Sequence, residues 1–397
     1  MVNVLFMQSQ TYFGADSYIH SLLMRELERN WIKVHVACNY GNNGTKSDAA
    51  KALEKIPNLH IRPTRFGTSV NFRKKIEIIS DSITQGVPFV FSIIGLAKYI
   101  RDNNIQIIHC TEKPRDAFYG QILAKLTGAK CVIQLHVKAE DWISKNVQWA
   151  MGQADALIGV SEFVAESIIS KGYSPNKTHY VLNAIDTNAW NPYTQGDGIR
   201  SEFEIDQDTP LLLAVSRLCY WKGHTELFKA LALVKKQTSN FKLLVVGEDD
   251  PRAHPGHGSY TAELKLLADE LGIADHIIFS GFRRDIPELM AACDVYTMPS
   301  FEEPFGMVFL EAMSMKKPVI ALNNGGACEV VENNKSGFLS EPQDIETLAQ
   351  NIVTIIENPA IRTSMGEYGR LRVEEYFSPQ RMAKDIENIY RKVLQID

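Results

Sequence analysis

Two glutamates, Glu303 and Glu311, stand eight residues apart in a run that reads Phe-Glu-Glu-Pro-Phe-Gly-Met-Val-Phe-Leu-Glu-Ala-Met-Ser over 301–314. The spacing alone is uninformative, because 47 acidic residues in 397 give roughly five such pairs by chance. The context is informative: Glu303 lies in a Pro-Phe-Gly loop that predicts a helix start, and Glu311 then lies about 6 Å further along the helix axis. The unpaired N–H groups between them suit a phosphate. This order of groups predicts a site for a polyhydroxylated group, a diphosphate and a ribose, as in a nucleotide sugar.

Two cations upstream complete this chemistry. Arg217 and Lys222 lie in a loop that follows an apolar strand and precedes a helix. A guanidinium and an ammonium there would neutralise a diphosphate as it leaves, which is the costly charge in glycosyl transfer. The alternative is a surface Arg and Lys that pair with nearby acids. The Glu303–Glu311 run downstream favours the phosphate role.

Two further residues follow predicted strands. Gly14 stands between the first strand and the first helix, where a glycine lets the backbone approach a ligand closely, although a plain turn is an open alternative. His136 follows the strand-like run Val132–Leu135. It is a candidate for contact with a sugar or an acceptor, and a buried core histidine is the alternative.

Metal and dinucleotide chemistry are disfavoured. Asp206-Gln207-Asp208 matches a DxD motif but precedes a strand, so a solvated turn is the better interpretation. His254, His257 and Asp249-Asp250 lie in a Gly/Pro-rich insertion, which predicts a loop and not a metal centre. No GxGxxG follows the first strand, which argues against a dinucleotide oxidoreductase.

These loops need strands to position them. Short apolar runs alternate with helical patterns along the whole chain, which predicts βαβ units and parallel sheets. The pattern breaks near 186–197 and restarts at 211, so we predict two Rossmann-like, doubly wound domains over 1–190 and 191–377, facing a central cleft. A final amphipathic helix within 378–397 is expected to pack back on the first domain.

Composition limits the class of protein. Hydrophobic content of 45% and charged content of 22% are typical of a soluble globular protein, and we expect a cytoplasmic one. Six cysteines without CxxC spacing predict reduced, buried thiols.

The net charge of −5 divides into +5 for residues 1–190 and −10 for residues 191–397. A functionally silent basic face is the more common explanation of the positive half, and peripheral contact with an anionic acceptor or the inner membrane face is the alternative. Nucleic acid is not indicated. The densest basic cluster is Lys51, Lys55, Arg62, Arg65, Arg73, Lys74 and Lys75.

Together these motifs resemble one family, the retaining glycosyltransferases of the GT-B fold, family 4 type. The resemblance covers nearly the whole chain and is strongest in the Glu303–Met313 run. It continues in Lys317–Ala321, Gly325-Gly326, Arg217 to Gly223, Val295–Ser300 and Asn183–Asp186. Two departures are the single Gly14-Ala15 in place of paired glycines, and Gly247-Glu248-Asp249-Asp250 in place of Gly-Asp-Gly.

The resemblance implies roles for individual residues. Glu303 is expected to bind hydroxyls of the transferred sugar, and Glu311 the ribose. Backbone groups of the helix start would contact sugar and phosphates, Arg217 and Lys222 the diphosphate, and Gly14 the phosphate from the other domain. His136 would lie near the donor sugar. The backbone contacts are expected from Phe305, Gly306, Met307 and Val308, and contacts to the base from Phe282 and Arg283.

The predicted function is therefore metal-independent, retaining transfer of a hexose from a nucleoside diphosphate sugar, UDP-linked in the first instance, to a glycan or lipid-linked acceptor in polysaccharide synthesis. A GDP-mannose-dependent mannosyltransferase is the main alternative. A sugar-nucleotide epimerase or an inactive glycan-binding relative are the others.

Overall fold

The computed structural model describes residues 1–40, 46–66, 91–141, 143–250 and 258–396. The chain divides into two units of nearly equal size, Met1–Ala184 with Pro379–Asp397, and Ile185–Ser378. The sequence-based division placed these boundaries at 190 and 377, so the first crossing lies six residues earlier than expected.

The first unit is built on a seven-stranded, wholly parallel sheet in the order β3-β2-β1-β4-β5-β6-β7. Its strands are β1 Val2–Gln8, β2 Ile32–Cys38, β3 His60–Pro63, β4 Ile105–Thr111, β5 Lys130–Leu135, β6 Ala156–Gly159 and β7 Thr178–Tyr180. Its helices are α1 Ala15–Glu26, α2 Asp48–Leu53, α3 over 91–102, α4 Pro114–Thr127, α5 Lys145–Gln153, α6 Glu162–Ser170 and the last helix of the chain, α15 Pro379–Leu394.

The second unit has a six-stranded parallel sheet in the order β10-β9-β8-β11-β12-β13. Its strands are β8 Leu211–Val215, β9 Lys242–Val246, β10 Ile277–Gly281, β11 Val295–Thr297, β12 Val319–Leu322 and β13 Gly337–Ser340. Its helices are α7 Asp197–Glu202, α8 His224–Lys235, α9 Tyr260–Glu270, α10 Ile286–Ala292, α11 Met307–Ser314, α12 Ala327–Val330, α13 Ile345–Glu357 and α14 Pro359–Tyr376.

The central strands are buried at nearly every position, which explains why they read as continuous apolar runs and not as alternating ones. Helices cover both faces of a parallel sheet, so no face is left for polar side chains. Three short strands, β3, β7 and β13, were not predicted. Strand β3 is mostly exposed and contains Arg62 and Pro63, so it carries no apolar signal.

In both sheets the order in which the chain adds strands reverses at one place. This place lies between β1 and β4 in the first unit and between β8 and β11 in the second. Such a switch point leaves a crevice at the carboxyl ends of the two diverging strands, where ligands of doubly wound folds bind. The predicted functional loops follow these strands. Gly14 follows β1, Arg217 and Lys222 follow β8, and Glu303 follows β11.

The last helix, α15, belongs to the first unit. Its Tyr390 is fully buried, and its hydroxyl lies 2.6 Å from Nδ1 of His109. Its Glu387 accepts the Glu28 N–H at 2.7 Å, and its Arg391 lies over the Trp31 ring at 4.2 Å. The amphipathic pattern of the helix is thus accounted for by packing within the first unit.

Five cysteines are buried and Cys328 is exposed, so the expectation of six buried thiols is wrong at one position; all six are free. Over the described ranges, no helix combines the length and apolar character that crossing a bilayer requires. The basic residues Arg73, Lys74 and Lys75 lie outside the described residues, as do His254 and His257.

Candidate active site

The centre of the site in the second unit is an ion pair between the loops after β8 and β11. The Lys222 ammonium lies 2.5 Å from Glu303 Oε2, and both side chains are largely buried, at 15% and 13% exposure. The main chain joins the same loops, because the Phe301 N–H donates to the Trp221 carbonyl at 2.7 Å. The structure therefore brings together the two residues that the sequence predicted for diphosphate and sugar.

Arg217 belongs to the same group of charges. Its guanidinium donates to the buried carboxylate of Asp250 and lies 5.9 Å from the centre of the Trp221 ring. Burial raises the pKa of the Cys219 thiol to about 11, while Lys222 and Arg217 lower it and Asp250 and Glu303 raise it. The two ion pairs, Arg217 with Asp250 and Lys222 with Glu303, both start from the loop after β8.

Asp250 was not predicted as part of this site. The segment around it continues the pairing of β8 and β9 past the strand ends, because the Leu218 N–H donates to the Glu248 carbonyl at 2.8 Å and the Asp250 N–H to the Leu218 carbonyl at 3.1 Å. The sequence signal for Asp250 was its position in the loop after β9, which departs from the family pattern. Asp249 instead accepts from Ser259 and Thr261 at the start of α9.

Helix α11 begins where the sequence predicted a helix start suited to an anion. It begins after Gly306, which has φ +94°, and its first turn contains no acidic residue. The first N–H groups of a helix have no partner within it and carry partial positive charge, so this start suits a phosphate oxygen. Phe305 is buried, while Met307 and Val308 are partly exposed.

Glu311 lies one turn further along α11 and is half-buried. Desolvation raises its pKa to about 7. Burial raises the pKa of Tyr296, and the negative charges of Glu311 and Glu303 raise it further. Both glutamates therefore lie close to the same phenol. The structure thus brings Glu303 and Glu311 to one place, as the run of residues predicted.

The glycine pair Gly325-Gly326, after β12, packs against the loop that carries Glu303. The Gly326 N–H donates to the Glu303 carbonyl at 2.7 Å. A Cβ at Gly325 would lie 2.7 Å from the same carbonyl oxygen, and one at Gly326 would lie 2.5 Å from the Pro304 oxygen. Only glycines allow this contact, which holds the Glu303 loop in place.

The segment predicted to contact the base lies after β10, an edge strand two positions from β8. Phe282 is 58% exposed and available for stacking. The guanidinium of Arg283, however, is bound by the carboxylates of Glu202 and Asp285. Its observed role is to hold this loop, in which the side chains of Phe282 and Arg284 are exposed.

His136 and Gly14 lie at the strand ends of the first unit. The backbone N–H of His136 donates to Glu112 Oε2 at 3.1 Å, and the His136 ring contacts that of His20 with 5.4 Å between centres. Burial lowers the pKa of His136, an effect that Glu112 and Asp16 oppose. Gly14 precedes α1, and a Cβ there would lie 2.8 Å from the Tyr12 ring.

No group of three or more His, Cys, Asp or Glu side chains is placed to hold a metal ion within the described residues. Asp206 lies in a turn, and its backbone carbonyl accepts from the Arg200 guanidinium at 2.9 Å. The DxD letters therefore coincide with a structural turn ahead of β8.

Comparison with known proteins agrees with the fold. The family model for glycosyl transferases group 1 matches residues 197–372, and that for glycosyltransferase family 4 matches residues 14–189. Together the two models cover most of both units. The chain belongs to the glycosyltransferases of family 4 type, with the GT-B fold, and it is a glycosyltransferase enzyme.

Individual relatives are distant. The chain is 25% identical over 323 residues to the putative glycosyltransferase EpsD of Bacillus subtilis, covering 76% of this chain and 80% of that protein. It is 27% identical over 263 residues to a GDP-mannose-dependent phosphatidylinositol monomannoside mannosyltransferase of Mycobacterium tuberculosis, covering 62% and 66%. The crystal structure of Anabaena HepE with UDP and glucose aligns over 99% of this chain and 100% of that one, with a TM-score of 0.76 and 23% identity.

Proposed function

We propose that the enzyme transfers a hexose from a nucleoside diphosphate sugar to a glycan or lipid-linked acceptor, with retention of anomeric configuration. The observation that carries the proposal is the contact between Lys222 and Glu303 beside the acid-free start of α11. Cations, helix N–H groups and carboxylates at one strand edge match the diphosphate, the sugar and the ribose of such a donor.

Each group has a defined task. Lys222, Arg217 and the α11 N–H groups stabilise the negative charge that grows on the diphosphate as the glycosidic bond breaks. Glu303 accepts hydrogen bonds from sugar hydroxyls and Glu311 from ribose hydroxyls. Lys222 contacts Glu303, so a bound donor would meet the ammonium with its phosphates and the carboxylate with its sugar hydroxyls.

The first donor to test is a UDP-hexose. The HepE structure was solved with UDP and glucose, which supports it, and the relative named as GDP-mannose-dependent supports the alternative donor. Thermal-shift measurements with UDP-, GDP- and ADP-sugars distinguish the two. Stabilisation by none of these ligands, with no nucleoside diphosphate released from any, would overturn the proposed function.

Metal independence is part of the proposal, since two side-chain cations and a helix start already neutralise the diphosphate. Turnover should persist in excess chelator. Loss of turnover that added Mg²⁺ or Mn²⁺ restores would contradict this.

We also propose a cytoplasmic enzyme that contacts a membrane surface through the first unit. Helix α3 exposes Phe91 and Ile94, at 69% and 59%. Two exposed arginines adjoin it, because the Arg65 N–H donates to Ser92 at 3.0 Å and the Arg62 guanidinium lies 5.8 Å from the Tyr99 ring. Apolar side chains beside cations match the interface of an anionic bilayer.

A further inference from the structure

The strand ends of the first unit carry a charged cluster that the sequence did not predict. Strands β1, β4 and β5 are neighbours in the sheet, so the residues after them meet. The Lys113 ammonium lies 3.2 Å from Glu112 Oε1 and 3.6 Å from Asp16 Oδ2. The second oxygen of Glu112 accepts the backbone N–H of His136. We call Asp16, Glu112, Lys113 and His136 the strand-end cluster.

The cluster carries net negative charge. Desolvation disfavours the charge on Lys113, but Glu112 and then Asp16 raise its pKa above the ordinary value, so it is a cation. Burial lowers the pKa of His136, so its ring is neutral at pH 7. Two carboxylates therefore face one ammonium and one uncharged imidazole.

The helix starts at this edge do not offset that charge. Asp16 lies in the first turn of α1 and accepts the Ser17 N–H at 2.9 Å. Helix α4 begins with Pro114, which has no N–H, and buries Asp116 in its first turn. Helix α11 of the second unit, by contrast, begins without an acid. A carboxylate in the first turn opposes a bound anion there.

Unpartnered polar atoms at the cluster indicate a ligand. Gln10 is 8% exposed and its amide nitrogen lies 3.5 Å from Asp16 Oδ2, yet its Oε1 has no hydrogen-bond partner among the described residues. The same is true of Nε2 of His136. Buried polar atoms in native proteins are hydrogen-bonded as a rule, so we expect these two atoms to hydrogen-bond to a ligand.

We infer that the strand-end cluster binds an uncharged, hydroxyl-rich sugar as the acceptor and rejects acceptors that carry phosphate or carboxylate at that position. Hydroxyl groups both donate and accept, so they satisfy the two carboxylates, Gln10 Oε1 and His136 Nε2 together. An added anion would lie within a few ångströms of two like charges. The inference rests on the proposed function. It takes the acceptor contact that the sequence left open for His136, whereas the family resemblance implied a place near the donor sugar.

The test uses the full chain with whichever donor the thermal-shift panel identifies. Methyl glycosides of glucose, galactose, mannose and N-acetylglucosamine are compared with their 6-phosphates and with methyl glucuronide. The readouts are nucleoside diphosphate release above donor hydrolysis and the mass of the product. We expect kcat/KM for a neutral glycoside to exceed that for its charged counterpart by at least roughly tenfold.

Two variants and a matched control assign the preference to the cluster. Asp16→Asn and Glu112→Gln each remove one charge and keep the size, and each should lower the neutral-to-charged ratio about tenfold. Asp48→Asn also removes a carboxylate from the first turn of a helix in the same unit, but that side chain is 73% exposed and pairs only at the surface with Lys51. It should leave the ratio unchanged.

The failures are distinguishable. If no nucleotide sugar binds or is turned over, the proposed function fails. If the donor is hydrolysed but charged glycosides serve as well as neutral ones, or no neutral glycoside accelerates turnover, only this inference fails. An unchanged ratio in Asp16→Asn and Glu112→Gln, in variants that melt like the wild type, would also overturn it.

Discussion

At the scale of single residues, the pair of Lys222 and Glu303 is the sharpest test of the site. Lys222→Ala and Glu303→Ala should each reduce kcat by at least roughly a hundredfold, because each removes a contact to the reacting end of the donor. Donor turnover measures the loss, and circular dichroism checks the fold.

The matched control for this pair is Lys335→Ala. Lys335 also pairs with a glutamate in the second unit, Glu332 at 2.5 Å, but is 57% exposed. It should retain wild-type turnover. Turnover near the wild-type rate in Lys222→Ala or Glu303→Ala would remove their proposed roles.

Glu311 links the site to the pH dependence of stability. Desolvation raises its pKa from the ordinary 4.5 to about 7, so the fold favours the protonated carboxyl. Its stabilising effect is complete below pH 4.5 and is lost as the pH rises through about 7. We expect the free energy of unfolding of the second unit to fall by up to about 3 kcal/mol over this window.

Denaturant titrations between pH 4.5 and 8 measure this effect. Glu311→Gln should flatten the dependence in the second unit. Burial also raises the pKa of Asp116 to about 7, so Asp116→Asn should flatten only the dependence of the first unit. An undiminished slope for the second unit in Glu311→Gln would show that another group titrates.

At the scale of elements, the start of α11 depends on Gly306. Its φ is +94°, and a Cβ would lie 2.3 Å from the Phe309 ring, so Gly306→Ala meets both backbone strain and a clash. We expect it to cost about 2 kcal/mol or more in stability and to weaken donor binding, since the N–H groups that face the phosphates move. Thermal unfolding and calorimetric titration with the donor measure the two effects.

Gly272→Ala is the control, because it introduces backbone strain without a steric clash. Gly272 has φ +65°, and nothing in the described part of the chain lies within 4 Å of a Cβ built there. It should cost about 1 kcal/mol and leave donor binding unchanged. Equal effects of the two variants on donor binding would argue against the cradle.

Helix α15 contributes a buried hydrogen bond to the first unit. Burial lowers the pKa of His109 to about 3 and raises that of Tyr390, so a neutral imidazole accepts from a phenol. Tyr390→Phe leaves Nδ1 of His109 unpaired and should cost about 1–3 kcal/mol of stability in the first unit. Denaturant unfolding measures the loss.

Tyr180→Phe is the control, because Tyr180 lies in the same unit and is 50% exposed. It should change stability by less than about 0.5 kcal/mol. If both variants unfold alike, the hydrogen bond does not stabilise the helix.

At the scale of the whole molecule, the exposed face of α3 predicts lipid binding. The full chain should sediment with vesicles containing an anionic lipid, more weakly at high salt. Phe91→Ser combined with Ile94→Ser should reduce the bound fraction about tenfold, because two apolar side chains no longer enter the interface.

Leu126→Ser is the matched control, since Leu126 is 55% exposed in the same unit and lies on a different helix, α4. It should bind vesicles like the wild type. Equal binding of all three proteins, or binding that neutral vesicles support as well, would contradict membrane contact through α3.

Most of the regular elements follow from local pattern. Buried parallel strands must be apolar at nearly every position, which made β1, β4, β8 and β9 readable, whereas the exposed β3 left no such trace. The Glu303–Glu311 site was readable for a related reason. Its loop, helix start and helix are consecutive in the chain, so their geometry is local.

The sequence by itself therefore determined the α/β class, the two-part organisation and the main residues of the candidate site, because periodicity and turn chemistry act over a few residues. Only the tertiary structure decided which strand ends are neighbours. Strand order places Asp250 on Arg217 and brings Asp16 to Lys113 across 97 positions of chain. Side-chain charges cancel or add according to distances in space, which long-range packing sets and which no local pattern contains.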